Sequence, residues 1–146
     1  MIQPTVFTWI IAVFGAITFL PLFGAQLLMI LNPRSKIAKD LIIGKGEEWR
    51  DETHFKSARA FAWADWLVIF PLFTVALVGV FSGKVWGYYL WIALGFLSIY
   101  FSILLWVLEK KYTYPSIGWF AYYTYFWGFF LYWGSGALVY SFIQLL

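Results

Sequence analysis

One acidic residue, Asp65, lies inside a long apolar stretch of the sequence. Inserting a carboxylate at the centre of a membrane helix costs about 2.5–3.5 kcal/mol, and less nearer the interface. A residue of this kind can carry protons, orient a ligand, or tie neighbouring helices together through hydrogen bonds. Asp65 is therefore the leading candidate for a ligand-binding or proton-binding group.

Three other polar residues are expected at a similar depth, one in each of the other apolar stretches: Gln26, Ser102 and Tyr125. At a rise of about 1.5 Å per residue, Asp65 lies about 9 Å beyond Arg59, which stands near the start of its stretch. Gln26, Ser102 and Tyr125 lie at a comparable depth when each is counted from the nearest end of its own apolar stretch. Since an amide, a hydroxyl and a phenol can all donate to a carboxylate, these residues are predicted to complete the site around Asp65.

A weaker candidate is the pair Asp51 and His54, which stand three residues apart and follow Glu47 and Glu48. On a helix this spacing could present carboxylates and an imidazole to a metal ion. Acidic residues are also common at the start of a helix, where the helix dipole favours negative charge. Because the chain has a single histidine, the second interpretation is preferred and no metal site is predicted.

The residue inventory excludes several kinds of cofactor chemistry. The chain has no cysteine and one histidine, which rules out thiolate metal sites and haem held by two histidines. No lysine lies deep in an apolar stretch to form a retinal Schiff base, and no Walker-type glycine–lysine loop is present. The sequence therefore does not identify a cofactor. The residue inventory favours a protein that is not an enzyme.

The composition is that of a membrane protein. Hydrophobic residues make up 63% of the chain and charged residues 12%, whereas a soluble domain carries roughly 25% charged residues. The net charge of +3 is confined to a few short stretches, a pattern typical of membrane orientation rather than nucleic-acid binding. The expected partners are the lipid bilayer and other membrane protein chains or further copies of this one.

Four apolar stretches are long enough to cross about 30 Å of hydrocarbon, which takes roughly 20 helical residues. The predicted fold is a single all-α domain over residues 1–146, an integral membrane up-down bundle of four transmembrane helices. The spans are expected at about 5–31, 57–82, 85–108 and 117–145. Within the polar loop 32–56, Asn32 and Pro33 are expected to start a short interfacial helix that ends at Gly44, with Ile37, Leu41 and Ile42 on one face.

The basic residues predict the orientation. All of them except Lys84 lie at positions 34–59 or at Lys110 and Lys111, on the same side of a four-span bundle. The positive-inside rule makes that side cytoplasmic and places both termini outside. The sequence thus predicts an integral protein of a bacterial or archaeal cytoplasmic membrane.

Small residues at alternating spacings of three and four predict the packing face of each span, because close approach drives helix association in lipid. The predicted stripe of span one is Thr8, Ala12, Gly15, Phe19, Leu22 and Gln26, and that of span two is Ala58, Ala62, Asp65, Ile69, Leu72, Ala76, Gly79 and Gly83. The predicted stripe of span three is Gly87, Trp91, Gly95, Ser98, Ser102 and Leu105, and that of span four is Gly118, Ala121, Tyr125, Gly128, Tyr132 and Ser135. The bulky Trp63, Trp66, Phe70 and Phe73 are expected on a different face of span two. Pro21 and Pro71, each near mid-span, are expected to kink their helices.

Three function classes fit this inventory. The first, favoured from the sequence, is a non-catalytic subunit or interaction partner of a membrane complex. The second is a binder, or an isomerase-like enzyme, of a lipophilic or sterol-like ligand in the helix bundle, with Asp65 orienting the ligand. The third is a proton-coupled transporter of a small solute that uses Asp65. A closed interior would favour the first, a cavity beside Asp65 lined by Gln26 and Tyr125 the second, and a water path to both faces the third.

Overall fold

The computed structural model describes the backbone of residues 2–117 and 128–146, and the side chains of residues 2–107 and 128–146. The regular structure of these residues is helical. The elements are α1 (Val6–Leu31), α2 (Lys36–Ile42), α3 (Glu52–Ala64), a π-helical turn (Asp65–Ile69), α4 (Phe70–Phe81), α5 (Val85–Ile117) and α6 (Gly128–Leu145).

Three helical stretches are long and apolar enough to span a membrane: Val6–Leu31, Glu52–Phe81 and Val85–Val107. These stretches indicate an integral membrane protein and match the first three predicted spans. The helix of the third span continues beyond the predicted end near residue 108 to Ile117, so the backbone of the expected third loop is helical. The predicted fourth span lies partly outside the described residues, and its described part is α6.

Helix α1 begins with reciprocal hydrogen bonds between Thr5 and Thr8 and continues through Pro21 without interruption. The short helix predicted in the first loop is present as α2, but its start was predicted wrongly. Ser35, rather than Asn32, caps it, since the Ser35 hydroxyl oxygen accepts from the Ala38 amide at 3.1 Å. The chain then leaves the helix through Gly44, whose φ of 111° favours glycine.

The second span changes its winding at the π-turn. Here the Phe70 amide donates to the carbonyl of Asp65, an i to i+5 bond. Pro71 follows directly; it has no amide hydrogen, and in a regular helix its ring would crowd the carbonyl of Leu67. The wider turn relieves that conflict. After it the predicted Ala76 and Gly79 are buried, and so is Phe73, which was wrongly predicted on a different face.

The helices approach most closely where glycines face one another. A Cβ on Gly134 of α6 would lie 2.8 Å from the backbone oxygen of Gly95 on α5. A Cβ on Gly79 of α4 would lie 2.7 Å from Cα of Gly87 on α5, beside the turn at Gly83. Small residues therefore permit both crossings, as expected in lipid.

The predicted packing stripe is confirmed for the third span and wrong for the described part of the fourth. In α5 the stripe residues Gly87, Trp91, Gly95, Ser98 and Ser102 are buried. In α6 the predicted Gly128 is buried, but the predicted Tyr132 and Ser135 are exposed, and the rest of the buried face is formed by Phe130, Trp133, Gly134, Ala137 and Ser141. The run Gly134-Ser135-Gly136 puts small residues on both faces, so spacing alone does not identify the packed one.

An aromatic cluster fills the centre of the bundle. The ring of Phe19 on α1 contacts Phe73, Phe130 and Trp133 at centroid distances of 5.2, 5.6 and 5.0 Å. The Trp133 indole also donates to the Ile11 carbonyl at 2.9 Å, which fixes α6 against α1. These contacts lie between two halves of the bundle. The half nearest residues 32–51 is called the first-loop half below, and the other is called the opposite half.

Candidate functional site

Asp65 and Gln26, predicted to lie at the same depth, are in direct contact. Nε2 of Gln26 on α1 donates to Oδ2 of Asp65 at the start of the π-turn. Both residues are buried, with 3% and 6% of their surfaces exposed. A charge-assisted hydrogen bond of this kind satisfies a carboxylate that would be costly in an apolar interior.

The π-turn holds this pair in place through a second contact with α1. Nε1 of Trp66, the residue after Asp65, donates to the carbonyl of Phe23 at 3.0 Å. In an α-helix consecutive residues point about 100° apart, and the wider π-turn reduces this rotation. Asp65 and Trp66, although consecutive, can therefore both contact α1, Asp65 at Gln26 and Trp66 at Phe23.

The Gln26 amide is only half satisfied. Its Nε2 is bonded to Asp65, whereas its oxygen Oε1 is buried and has no hydrogen-bond partner among the described residues. An ionised carboxylate can only accept, so the NH₂ end of the amide must face Asp65 and the oxygen must face away from it. A buried polar atom without a partner is uncommon and is often explained by a ligand or bound water.

A cavity of about 300 Å³ borders Gln26 in the first-loop half of the bundle. Its described lining is apolar apart from Thr18 and Gln26. The lining residues are Thr18, Pro21, Leu22, Ala25, Gln26, Leu41, Ile42, Ala58, Phe61, Phe101, Leu104, Leu105 and Phe130. An apolar enclosure with few polar groups is typical of small-molecule sites, which range from about 300 to 1,000 Å³.

The cavity follows from the way the helices diverge. Near Gly83 the backbones of α4 and α5 are in contact through glycines, whereas towards the first loop bulky side chains stand between the helices. There Phe61 of α3 meets Phe101 of α5 edge to face at a centroid distance of 6.1 Å. Helix α2 covers this end, since its residues Leu41 and Ile42 line the cavity.

The other two predicted site residues do not join the pair within the described structure. Ser102 is 1% exposed, and its hydroxyl has no hydrogen-bond partner among the described residues. It lies on the buried face of α5, as predicted, but makes no hydrogen bond to Asp65. Tyr125 lies outside the described residues.

Asp51 and His54 form a helix cap, as the preferred interpretation predicts. Asp51 is the N-cap of α3; its Oδ1 accepts from the backbone amide of His54 at 2.8 Å and its Oδ2 accepts from Nε of Arg50 at 3.1 Å. The backbone hydrogen bond from His54 holds the pKa of Asp51 below its usual value. Among the residues that the structure describes, no group of three or more His, Asp or Glu side chains could hold a metal ion.

The cavity wall was not predicted, although one feature of the sequence indicates it. Thr18, Leu22 and Gln26 follow one another at spacings of four, so they share one face of α1. Two polar residues on one face of an otherwise apolar helix mark a face that lipid would not favour. That face lines the cavity.

Comparison with known proteins adds no family: no protein-family model, curated protein or solved structure matches this chain. The geometry of the site therefore carries the functional argument. Its elements are an apolar cavity, a buried carboxylate, and an amide oriented by that carboxylate.

Proposed function

We propose that this protein binds one lipophilic molecule in the cavity of the first-loop half, with the Asp65–Gln26 pair orienting its polar end. The observation that carries the proposal is the coincidence of an apolar cavity of about 300 Å³ with a buried, half-satisfied amide in its wall. Of the three function classes, the binder is the one that predicts a cavity beside Asp65 lined by Gln26 and Tyr125. Gln26 lines the cavity and is bonded to Asp65, and Tyr125 lies outside the described residues.

The packing of the opposite half supports binding over transport. Phe19, Phe73 and Trp133 pack ring against ring between the cavity and that half. Among the residues that the structure describes, a solute path between these three rings to both faces is blocked by their contacts. The subunit hypothesis makes no use of the cavity, and it becomes the better account if the cavity binds nothing.

We further propose a four-span topology with residues 32–56 in the cytoplasm and both termini outside, as the basic residues indicate. Since the chain has no cysteine, single cysteines can report sidedness without background. Cysteines introduced at Gln3 and Lys45 are expected to react with an impermeant maleimide from opposite sides of the cell membrane. Labelling of the Lys45→Cys protein from outside would contradict this orientation.

Filling the cavity is expected to abolish binding without unfolding the protein. Ala58 lines the cavity from α3, and Ala60, two residues further along the same helix, is exposed. Ala58→Phe places a ring in the cavity, whereas Ala60→Phe places the same ring on the outer surface. Saturable binding of tritiated farnesol, a compact lipophilic alcohol, is measured by scintillation proximity, and the affinity is expected to fall at least about tenfold in Ala58→Phe only.

A second filling variant guards against a local packing defect at Ala58, which also packs against the small cluster around Met29. Leu104→Trp fills the same volume from α5, where Leu104 lines the cavity. Thermal melts confirm that each variant is folded. Wild-type protein that binds no farnesol saturably, or equal binding by the wild type and both filled variants, would overturn the proposed function.

A further inference from the structure

We propose that the ligand of this cavity is a neutral lipophilic molecule whose polar head donates a hydrogen bond, in the simplest case an alcohol, and that Oε1 of Gln26 accepts it. This inference rests on the proposed function and specifies the chemistry of the ligand. It follows from which hydrogen-bond donors and acceptors of the cavity wall have a partner in the structure and which do not.

The orientation of the Gln26 amide decides what the wall offers. Its donor end is bound to Asp65, and its acceptor oxygen is buried without a partner among the described residues. Reversing the amide would set its oxygen against the carboxylate, which repels it. Asp65 therefore acts as a positioning residue that holds the acceptor oxygen of Gln26 away from the carboxylate.

The second polar group in the described lining has the same character. Thr18 donates its hydroxyl hydrogen to the carbonyl of Phe14 at 2.8 Å, which leaves only lone pairs on its oxygen. Both polar residues of the described wall, Thr18 and Gln26, can thus accept a hydrogen bond. The second N–H of Gln26 is on Nε2, the end of the amide that is held at Asp65, so Oε1 of Gln26 and the oxygen of Thr18 present lone pairs. A ketone, quinone or ether would place its own lone pairs against theirs.

The described lining also favours a neutral donor over an ammonium group. It includes no acidic side chain, and Oδ2 of Asp65, which lies behind Gln26 in this wall, accepts from Nε2 of Gln26. A cation buried in an apolar cavity needs a charged partner to offset its lost hydration. A hydroxyl needs only one acceptor, which Gln26 provides.

Three ligands of the same carbon skeleton separate hydrogen-bond donation from size and apolarity. Farnesol carries a donor, farnesyl methyl ether carries only an acceptor, and farnesene carries neither. Each competes against tritiated farnesol for the wild-type protein. The ether and the hydrocarbon are expected to bind about tenfold more weakly than the alcohol, since an unmet buried acceptor costs roughly that factor or more.

Variants test whether Gln26 is the acceptor. Gln26→Met keeps the length of the side chain and removes both ends of the amide. Asp65→Asn keeps the shape of the carboxylate but can donate as well as accept, so it no longer fixes the amide. In both variants the ratio of alcohol to ether affinity is expected to fall towards one, while Ala60→Phe keeps the wild-type ratio.

The outcomes separate this inference from the proposed function. Saturable binding of all three ligands with equal affinity would overturn the donor requirement and leave the cavity as a lipophilic site. An alcohol preference that survives in both Gln26→Met and Asp65→Asn would overturn the assignment to Gln26. Absence of saturable farnesol binding to the wild type would overturn the proposed function itself.

Discussion

Asp65→Leu is expected to destabilise the bundle, whereas Asp65→Asn is expected to leave its stability close to that of the wild type. Leucine removes the acceptor for Nε2 of Gln26, whose Oε1 already has no partner among the described residues. Hydrogen bonds between helices in lipid average about 0.6 kcal/mol and reach about 1.7 kcal/mol, and a fully buried pair belongs at the upper end. Unfolding free energies in mixed micelles measure this difference directly.

The cost of inserting a charge does not reverse this expectation. That cost is borne when span two enters the bilayer, and it is shared by the folded bundle and by the separated helices. The folding difference therefore comes from the lost contact with Gln26. A Leu variant as stable as the wild type would show that the Asp65–Gln26 bond does not stabilise the fold, and an Asn variant as unstable as Leu would show that asparagine cannot replace the carboxylate.

A second large effect is expected at the crossing of α5 and α6. In Gly134→Ala the new methyl group would lie 2.8 Å from the backbone oxygen of Gly95 and 3.0 Å from Cγ1 of Ile99. Backbone atoms cannot turn aside, so the two helices must separate. Overpacking of this kind costs about 1–3 kcal/mol. The separation also lengthens the bond from Ser98 to the Phe130 carbonyl, which is 2.7 Å in the structure.

Gly136→Ala is the matched control on the same helix. Gly136 is exposed, and a Cβ there has no neighbour within 4 Å. Because alanine favours a helix by about 0.8–1 kcal/mol over glycine, this variant is expected to be as stable as the wild type or slightly more so. Equal destabilisation by both substitutions would mean that flexibility at these glycines, rather than close packing at Gly134, determines stability.

The polar pair could be predicted from sequence because burial of a carboxylate in lipid requires a partner. Depth alone placed Gln26 of α1 level with Asp65, and only a few residues on that helix can donate a hydrogen bond. The packing stripe of α5 could be predicted in the same way, since Gly87, Gly95, Ser98 and Ser102 occupy one face of the helix. Both predictions rest on chemistry that a single helix displays.

The π-turn, the packed face of α6 and the cavity could not be predicted in this way. Pro71 signals a disturbance, but Pro21 leaves α1 helical, so the sequence does not say which proline produces a π-turn. In α6, Gly134 and Gly136 differ only in which one meets α5. The cavity depends on distances between helices, which are set by contacts such as that of Phe61 with Phe101.

The most direct test of the binding site is photo-crosslinking with a farnesol analogue that carries a diazirine in its chain, followed by mass spectrometry of the labelled peptides. Binding in the cavity predicts labels on residues 18–26, 58–61 and 101–105, and their loss in the presence of excess farnesol or in the Ala58→Phe variant. Labels spread over the outer surface, at exposed residues such as Val13, Val75 and Val139, and unaffected by excess farnesol, would contradict it.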